Sequence, residues 1–298
     1  MRRGPRLCIF SAIACVFTLA MLTAAPSHAT DITLVNQNSL TTIDPTSSAG
    51  QFNWLVDGSN ELAQQWFWIK VGAGPATPIS SLSAPAVVAQ TTNSVTLSYT
   101  GMGVNVQTTF TLSGGAAGSG ASDMPISVNV SNVTGAATNI SLFEYANFDL
   151  NASAAGDQLN IVQNTPAGFI HQTKGTTAIT EKSTISAFDQ WAGGSPASVL
   201  GPGAGSVLSG SLGDSPALNT QIGPGDESWA VQWNDTLAAT GQIGSTFGVS
   251  KDEKISGALP GLGAPEPSAI IIAGIGFTIG GVFAARRRSE CQPVSRNK

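Results

Sequence analysis

The sequence predicts an all-β protein: an antiparallel β-sandwich ectodomain flanked by an N-terminal signal peptide and a C-terminal transmembrane helix. Three observations carry that expectation. Apolar and polar residues alternate through most of the middle of the chain, an uncharged run stands near each end, and all three cysteines (Cys8, Cys15, Cys291) fall outside the middle. At the amino end, Arg2, Arg3 and Arg6 precede an uncharged stretch from Leu7 to Leu22, followed by small residues. That order is the pattern of a secretory signal peptide over residues 1–29, cut between Ala29 and Thr30.

The ectodomain, residues 30–255, is read strand by strand. Val95, Leu97 and Tyr99, then Val104, Val106, Phe110 and Leu112, alternate on either side of Thr-Gly-Met-Gly, the pattern of a β-hairpin. Phe52, Trp54 and Val56 lead through Asp57-Gly58 into Gln64 to Ile69, which reads as a second hairpin. Ile126, Val128 and Val130 are separated from Ile140 and Leu142 by Thr-Gly-Ala-Ala-Thr, which reads as a third. Trp229, Val231, Trp233, Phe247 and Val249 close the series. Strands that are polar at alternate positions suit antiparallel sheets with one wet face, stacked in two layers. The Gly/Ser/Pro-rich stretches Gly114–Ser122 and Gly193–Ser215 read as loops, and residues 256–264 as a linker.

The carboxyl end carries the second uncharged run, Ser268 to Ala285, which at helical rise covers roughly 27 Å of bilayer. Arg286, Arg287 and Arg288 hold its far end in the cytoplasm by the positive-inside rule, leaving residues 289–298 as a cytoplasmic tail. Pro265 and Pro267 lack amide hydrogens and hold Glu266 in an extended segment at the membrane surface. Pro265-Glu266-Pro267-Ser268, the apolar span and the arginine cluster, with a signal peptide at the other end, resemble the PEP-CTERM sorting signal, here residues 265–288. The resemblance implies a Gram-negative bacterium that makes extracellular polysaccharide. It also implies recognition and cleavage near Pro265, Glu266 and Pro267 by exosortase, a membrane-embedded cysteine protease or transpeptidase.

Charge limits the partners. Residues 30–255 contain no arginine, and five lysines face sixteen carboxylates, a net charge of −11. A surface of that sign repels nucleic acid and anionic headgroups. The absence of cysteine there removes disulfide and thiol chemistry.

The candidates for chemistry are few. His171 is the one histidine of the ectodomain, so a Ser-His-Asp triad has one histidine to draw on and a zinc site lacks ligands. No Gly-x-Ser-x-Gly elbow is present. Glu144 and Asp149, among Phe143, Tyr145 and Phe148, are the carboxylates a sugar-cleaving site would use, although strand alternation points them apart unless a bulge intervenes. Asp149, Asn151, Ser153 and Asp157 offer oxygens like the opening of a calcium loop but depart from that pattern at Ala154 and Asn160. Five tryptophans (Trp54, Trp66, Trp68, Trp229, Trp233) read as core, while Trp191, beside a glycine-rich loop, is the candidate for stacking on a ligand.

These readings lead to an exported, non-enzymatic protein with no catalytic residues, metal or cofactor, sorted by exosortase to the cell envelope or extracellular matrix as a structural or adhesive component. Its expected partners are exosortase, the cell membrane through a transient single-pass anchor, and extracellular polysaccharide. Two alternatives stay open: a carbohydrate-binding module, and a carboxylate-dependent glycoside hydrolase.

Overall fold

The computed structural model describes residues 31–256, except 165–166, 184–186, 201–207 and 209–210. The signal peptide with its Ala29–Thr30 junction, residues 257–264 of the linker, Pro265, Glu266, Pro267, Ser268, the expected transmembrane helix, Arg286, Arg287, Arg288 and the tail lie outside the described residues. Among the described residues, no helix is long and apolar enough to cross a membrane.

The strands follow one another almost without helix. In chain order they are β1 (Ile32–Asn36), β2 (Ser39–Asp44), β3 (Gly50–Val56), β4 (Ser59–Asn60), β5 (Leu62–Val71), β6 (Thr77–Pro78), β7 (Ala86–Gln90), β8 (Ser94–Gly101), β9 (Val104–Thr111) and β10 (Ser113–Gly114). There follow β11 (Ser122–Asn132), β12 (Thr138–Phe148), β13 (Asp157–Asn164), β14 (Ala167–Lys174), β15 (Thr177–Ser183), β16 (Gln190–Gly194), β17 (Gln221–Gly225), β18 (Ser228–Leu237) and β19 (Thr246–Ser256). They form two sheets. The first runs β1-β2-β3-β5-β12-β18-β16, with β4 on β3 and β6 on β5; the second runs β17-β13-β14-β15-β19-β11-β9-β8-β7, with β10 on β11. Pairing is antiparallel apart from a short parallel contact of β3 with β5 and an isolated Ala192–Ser215 bridge.

Local chemistry explains the tight turns. Met102-Gly103 and Asp57-Gly58 both carry positive φ at the two central positions (53° and 82°, 50° and 86°), the conformation whose twist matches a two-residue hairpin. The first closes β8 onto β9, as the alternation predicts. The second closes β3 onto the short β4, and the chain then turns again into β5, so β3 and β5 are not the two arms of one hairpin. The expected hairpin of Ile126–Val130 with Ile140–Leu142 is also absent. β11 pairs with β9 and β19 in one sheet, while β12 pairs with β5 and β18 in the other. Alternation reports that each strand buries one face, but it says nothing about which sheet receives it.

Two further stretches differ from expectation. Gly193–Ser215, read as a loop, contains the end of β16 and a helix α1 (Pro196–Leu200) that buries Val199 and Leu200. Ser256, assigned to the linker, is the last residue of β19. The Gly114–Ser122 stretch is irregular between β10 and β11, and exposed Asp57 organises it by accepting the amide hydrogens of Gly118 (2.6 Å) and Gly120 (2.8 Å).

One continuous core lies between and around the sheets. Trp54, Trp66, Trp68, Trp229 and Trp233 are all buried, so the expectation that they pack inside matches the structure. Phe148 stacks on Trp229 (centroids 6.4 Å) and Trp66 on Phe110 (6.3 Å). Burying side chains of this size supplies about 1.5–3 kcal/mol each, which suits a domain without disulfides. Residues 65–69 of β5, 142–146 of β12 and 228–233 of β18 are buried on both faces.

Candidate functional site

Within this apolar core sits a cluster of charge. Alternation along β19 sends Val249, Lys251, Glu253 and Ile255 inward, and the same period along β15 sends Ile179 and Glu181 inward. From the opposing sheet, β12 supplies Glu144 and the adjacent β5 supplies Gln65 and Phe67. Five polar side chains from four strands of both sheets thus meet in the interior, each at most 3% exposed.

The Lys251 ammonium group is the hub. Its Nζ donates to Glu144 Oε1, to Glu253 Oε1 at 2.6 Å and to Glu181 Oε2 at 3.4 Å. Gln65 Nε2 donates to Glu144 Oε1 at 2.6 Å and also to Glu253 Oε1. The lysine lies over Phe67 (5.4 Å to the ring centroid) and Trp229 (6.0 Å), so the aromatic faces help hold its charge. Among the described residues, Gln65 Oε1, Glu144 Oε2 and Glu253 Oε2 meet no donor.

Three carboxyls facing one amine in a dry interior cannot all be ionised at tolerable cost. Burial, and then the adjacent Glu253, push the Glu181 carboxyl well above its ordinary value, which favours its neutral form. Burial draws Lys251 down to about 8, against the opposing pull of Glu253. The amine is therefore readily neutralised. Oxygens of Glu144, Glu181 and Glu253 lie within 4.8 Å of one another, the reach of a shared metal ion. Lys251 Nζ contacts all three, so it fills the space such an ion would need.

The cluster uses one residue singled out in the sequence and rearranges its role. Glu144 does not meet Asp149: the register of β12 shifts after Asn147, the strand ends at Phe148, and Asp149 goes into the following turn, where its backbone bonds to Glu61 and Ser153. Glu181, Lys251, Glu253 and Gln65 were missed. The phase of β19, where an inward apolar period runs straight through Lys251 and Glu253, is a signal for those two.

The other candidates fall elsewhere. Asn151 and Ala152 turn in the left-handed region, and Lys174 Nζ donates to the Ser153 carbonyl (2.6 Å) beside Asp157 (3.8 Å). An ammonium thus serves the oxygens of the calcium-like stretch. Burial pushes Asp157 up to about 7, opposed by Lys174 and by a hydrogen bond from Gln172 Nε2 (3.0 Å). His171 bonds Thr180 Oγ1 through Nδ1 (3.2 Å), stacks on Phe169, and is held below its ordinary value by burial.

Trp191 is not an exposed stacking surface. β16 pairs with β18, Gly193 N bonds the Ser215 carbonyl (2.7 Å), and residues 214–216 fold over the indole. Its Nε1 donates to the Pro216 carbonyl (2.7 Å), its ring packs against Phe188, and only 9% of it remains exposed. An open cleft of about 530 Å3 lies elsewhere, lined by Asp31, Asp44, Ser47, Ser48, Phe52 and Gln64 among others. Asp44 accepts from Thr46 and Ser47 there, and these bonds keep its carboxyl below the usual range despite partial burial.

No family model matches the chain, and no curated protein matches it. Among solved structures, a bacterial glucoamylase complexed with acarbose superposes with a TM-score of 0.48 at 6% identity, over 77% of this chain and 34% of that one. The chain therefore spans about a third of that glucoamylase's length. A galactose mutarotase-like protein from Lactobacillus casei ATCC 334 superposes with a TM-score of 0.45 at 10% identity, over 76% of this chain and 100% of that one. A GalM/aldose epimerase homologue from C. elegans gives 0.40 at 8% identity, over 76% and 98%.

Proposed function

We propose that the chain is an exported protein of the cell envelope or extracellular matrix, tethered transiently by its C-terminal span, processed by exosortase, and structural or adhesive in its ectodomain. The observation that supports a non-catalytic ectodomain is the enclosure of its reactive inventory. Glu144, the carboxylate best placed among aromatics, is sealed in the core with Lys251 and Gln65, and the tryptophans lie inside. Delivery rests on the sequence of the two ends, with Pro265-Glu266-Pro267 before an uncharged span and three arginines after it. Replacing Pro265, Glu266 and Pro267 by alanine is expected to leave uncleaved protein in the membrane. Normal processing of that variant would remove the sorting reading.

One observation favours a second reading, a carbohydrate-binding surface. The cleft of Asp44, Ser47, Ser48 and Gln64 offers hydroxyl, amide and carboxylate groups beside the half-buried ring of Phe52, the mixture that sugar hydroxyls and sugar faces require. Retention on an immobilised polysaccharide, lost in Phe52→Ala, is the result expected from it; passage of the wild type without delay contradicts it.

A further inference from the structure

We propose that Lys251 and Glu144 form an intramolecular amide cross-link that staples the two sheets together. The geometry supplies each part of such a reaction. The amine and the carboxyl group it attacks are held together, since Lys251 Nζ lies against Glu144 Oε1, and both side chains are enclosed. Reactants fixed in contact have effective molarities of about 10^5–10^8 M, enough to drive a condensation that is negligible between free side chains.

The two oxygens of Glu144 stand in different surroundings. Oε1 accepts from Gln65 Nε2 (2.6 Å), a donor placed to stabilise negative charge as the carbonyl is attacked. Oε2 meets no donor among the described residues and is free to leave. Glu253 Oε1, 2.6 Å from Nζ, is placed to take the proton that the amine sheds, and Glu181 Oε2, 3.4 Å from Nζ, to pass one into the cluster.

The step balances without oxidant or co-reactant. The neutral Nζ attacks Cδ of the protonated Glu144 carboxyl, a C–N bond forms, and the C–Oε2 bond breaks. The proton shed by the amine passes to Glu253, Glu181 gives its proton to the departing hydroxyl, and a proton returns from Glu253 to Glu181, so the net products are a secondary amide and one water. Gln65 then donates to the amide oxygen and the amide N–H to Glu253, so both new polar groups are satisfied. A buried ion pair is replaced by a neutral group, which lowers the desolvation cost of the core.

The link would join β12 of one sheet to β19 of the other, in a region that contains no cysteine for a disulfide. The test is peptide mapping by mass spectrometry of the native protein recovered from cells and denatured before digestion. Trypsin is expected to spare the acylated Lys251, and the peptide of residues 71–174 is expected to appear joined to that of residues 183–254, lighter by one water than their sum. Lys251→Arg keeps a cation in place but cannot form this amide, and is expected to give the separate peptides. Cleavage after Lys251 in the wild type, with the Glu144 peptide recovered at its unmodified mass, would overturn the proposal.

Discussion

Gln65 on β5 and Lys251 on β19 approach from opposite sheets and donate to the same two oxygens, Glu144 Oε1 and Glu253 Oε1. An amide and an ammonium thereby share two carboxylates in a space walled by Phe67 and Trp229. The centre of this sandwich is therefore held by matched polar partners, and each depends on the others.

Lys251→Met should lower the free energy of unfolding by at least about 3–5 kcal/mol, because it leaves buried carboxylates without a partner and also removes the proposed link between the sheets. Adding Glu144→Gln and Glu253→Gln to that variant should recover part of the loss. Neither protein has the amine, so a cross-link does not distinguish them. Urea unfolding of both measures the difference; equal midpoints would show that the carboxylates are not charged in the fold.

The pH dependence of stability should carry the mark of Asp157. Its folded value is raised to about 7 from 3.8, so between those values the native state binds the extra proton. Stability from this group is present below pH 3.8 and is lost as pH rises through 7. His171, held down by burial, works in the other direction as pH falls below 6.5. Asp157→Asn should therefore flatten the fall of Tm between pH 4 and 7 relative to wild type. Parallel curves would contradict the assignment.

Gly50 opens β3 at φ 60°, and a Cβ there would stand 2.5 Å from the Gln65 carbonyl and against the Trp66 ring. Gly50→Ala should cost about 3 kcal/mol, combining left-handed strain with overpacking of the strand that carries Gln65. Chemical denaturation reads the cost, and a change under 1 kcal/mol would show that β3 can move away from β5.

Trp229 and Trp191 should separate by their surroundings. Trp229 is buried, stacked on Phe148 and beneath Lys251, so Trp229→Ala should cost about 3–5 kcal/mol. Trp191→Phe keeps the packing on Phe188 and loses the bond to Pro216, about 1 kcal/mol. Trp191→Phe should also leave any polysaccharide retention unchanged, which affinity chromatography checks.

Much of the fold is legible in particular residues. Val95-Leu97-Tyr99 and Val104-Val106 mark β8 and β9, and Met102-Gly103 marks their turn, because side-chain period and turn conformation are local properties. The expected third hairpin is absent for the complementary reason: Ile126–Val130 pairs back onto β9 on one side and, on the other, with β19 more than a hundred residues along the chain, while β12 joins the other sheet. Trp191 failed similarly, since its cover comes from residues 214–216, which a neighbouring glycine-rich composition does not reveal. Glu144 was visible as a carboxylate among aromatics, but its partners sit on strands remote in sequence.

By itself, the sequence determined the all-β period, the cysteine-free acidic composition and the turns at Asp57-Gly58 and Met102-Gly103, since each follows from neighbouring residues and the geometry of one strand. Only the tertiary structure decided which sheet each strand joined and that Glu144, Glu181, Glu253, Lys251 and Gln65 converge. Those outcomes depend on packing two sheets face to face, which brings charges remote along the chain into a volume where water cannot separate them.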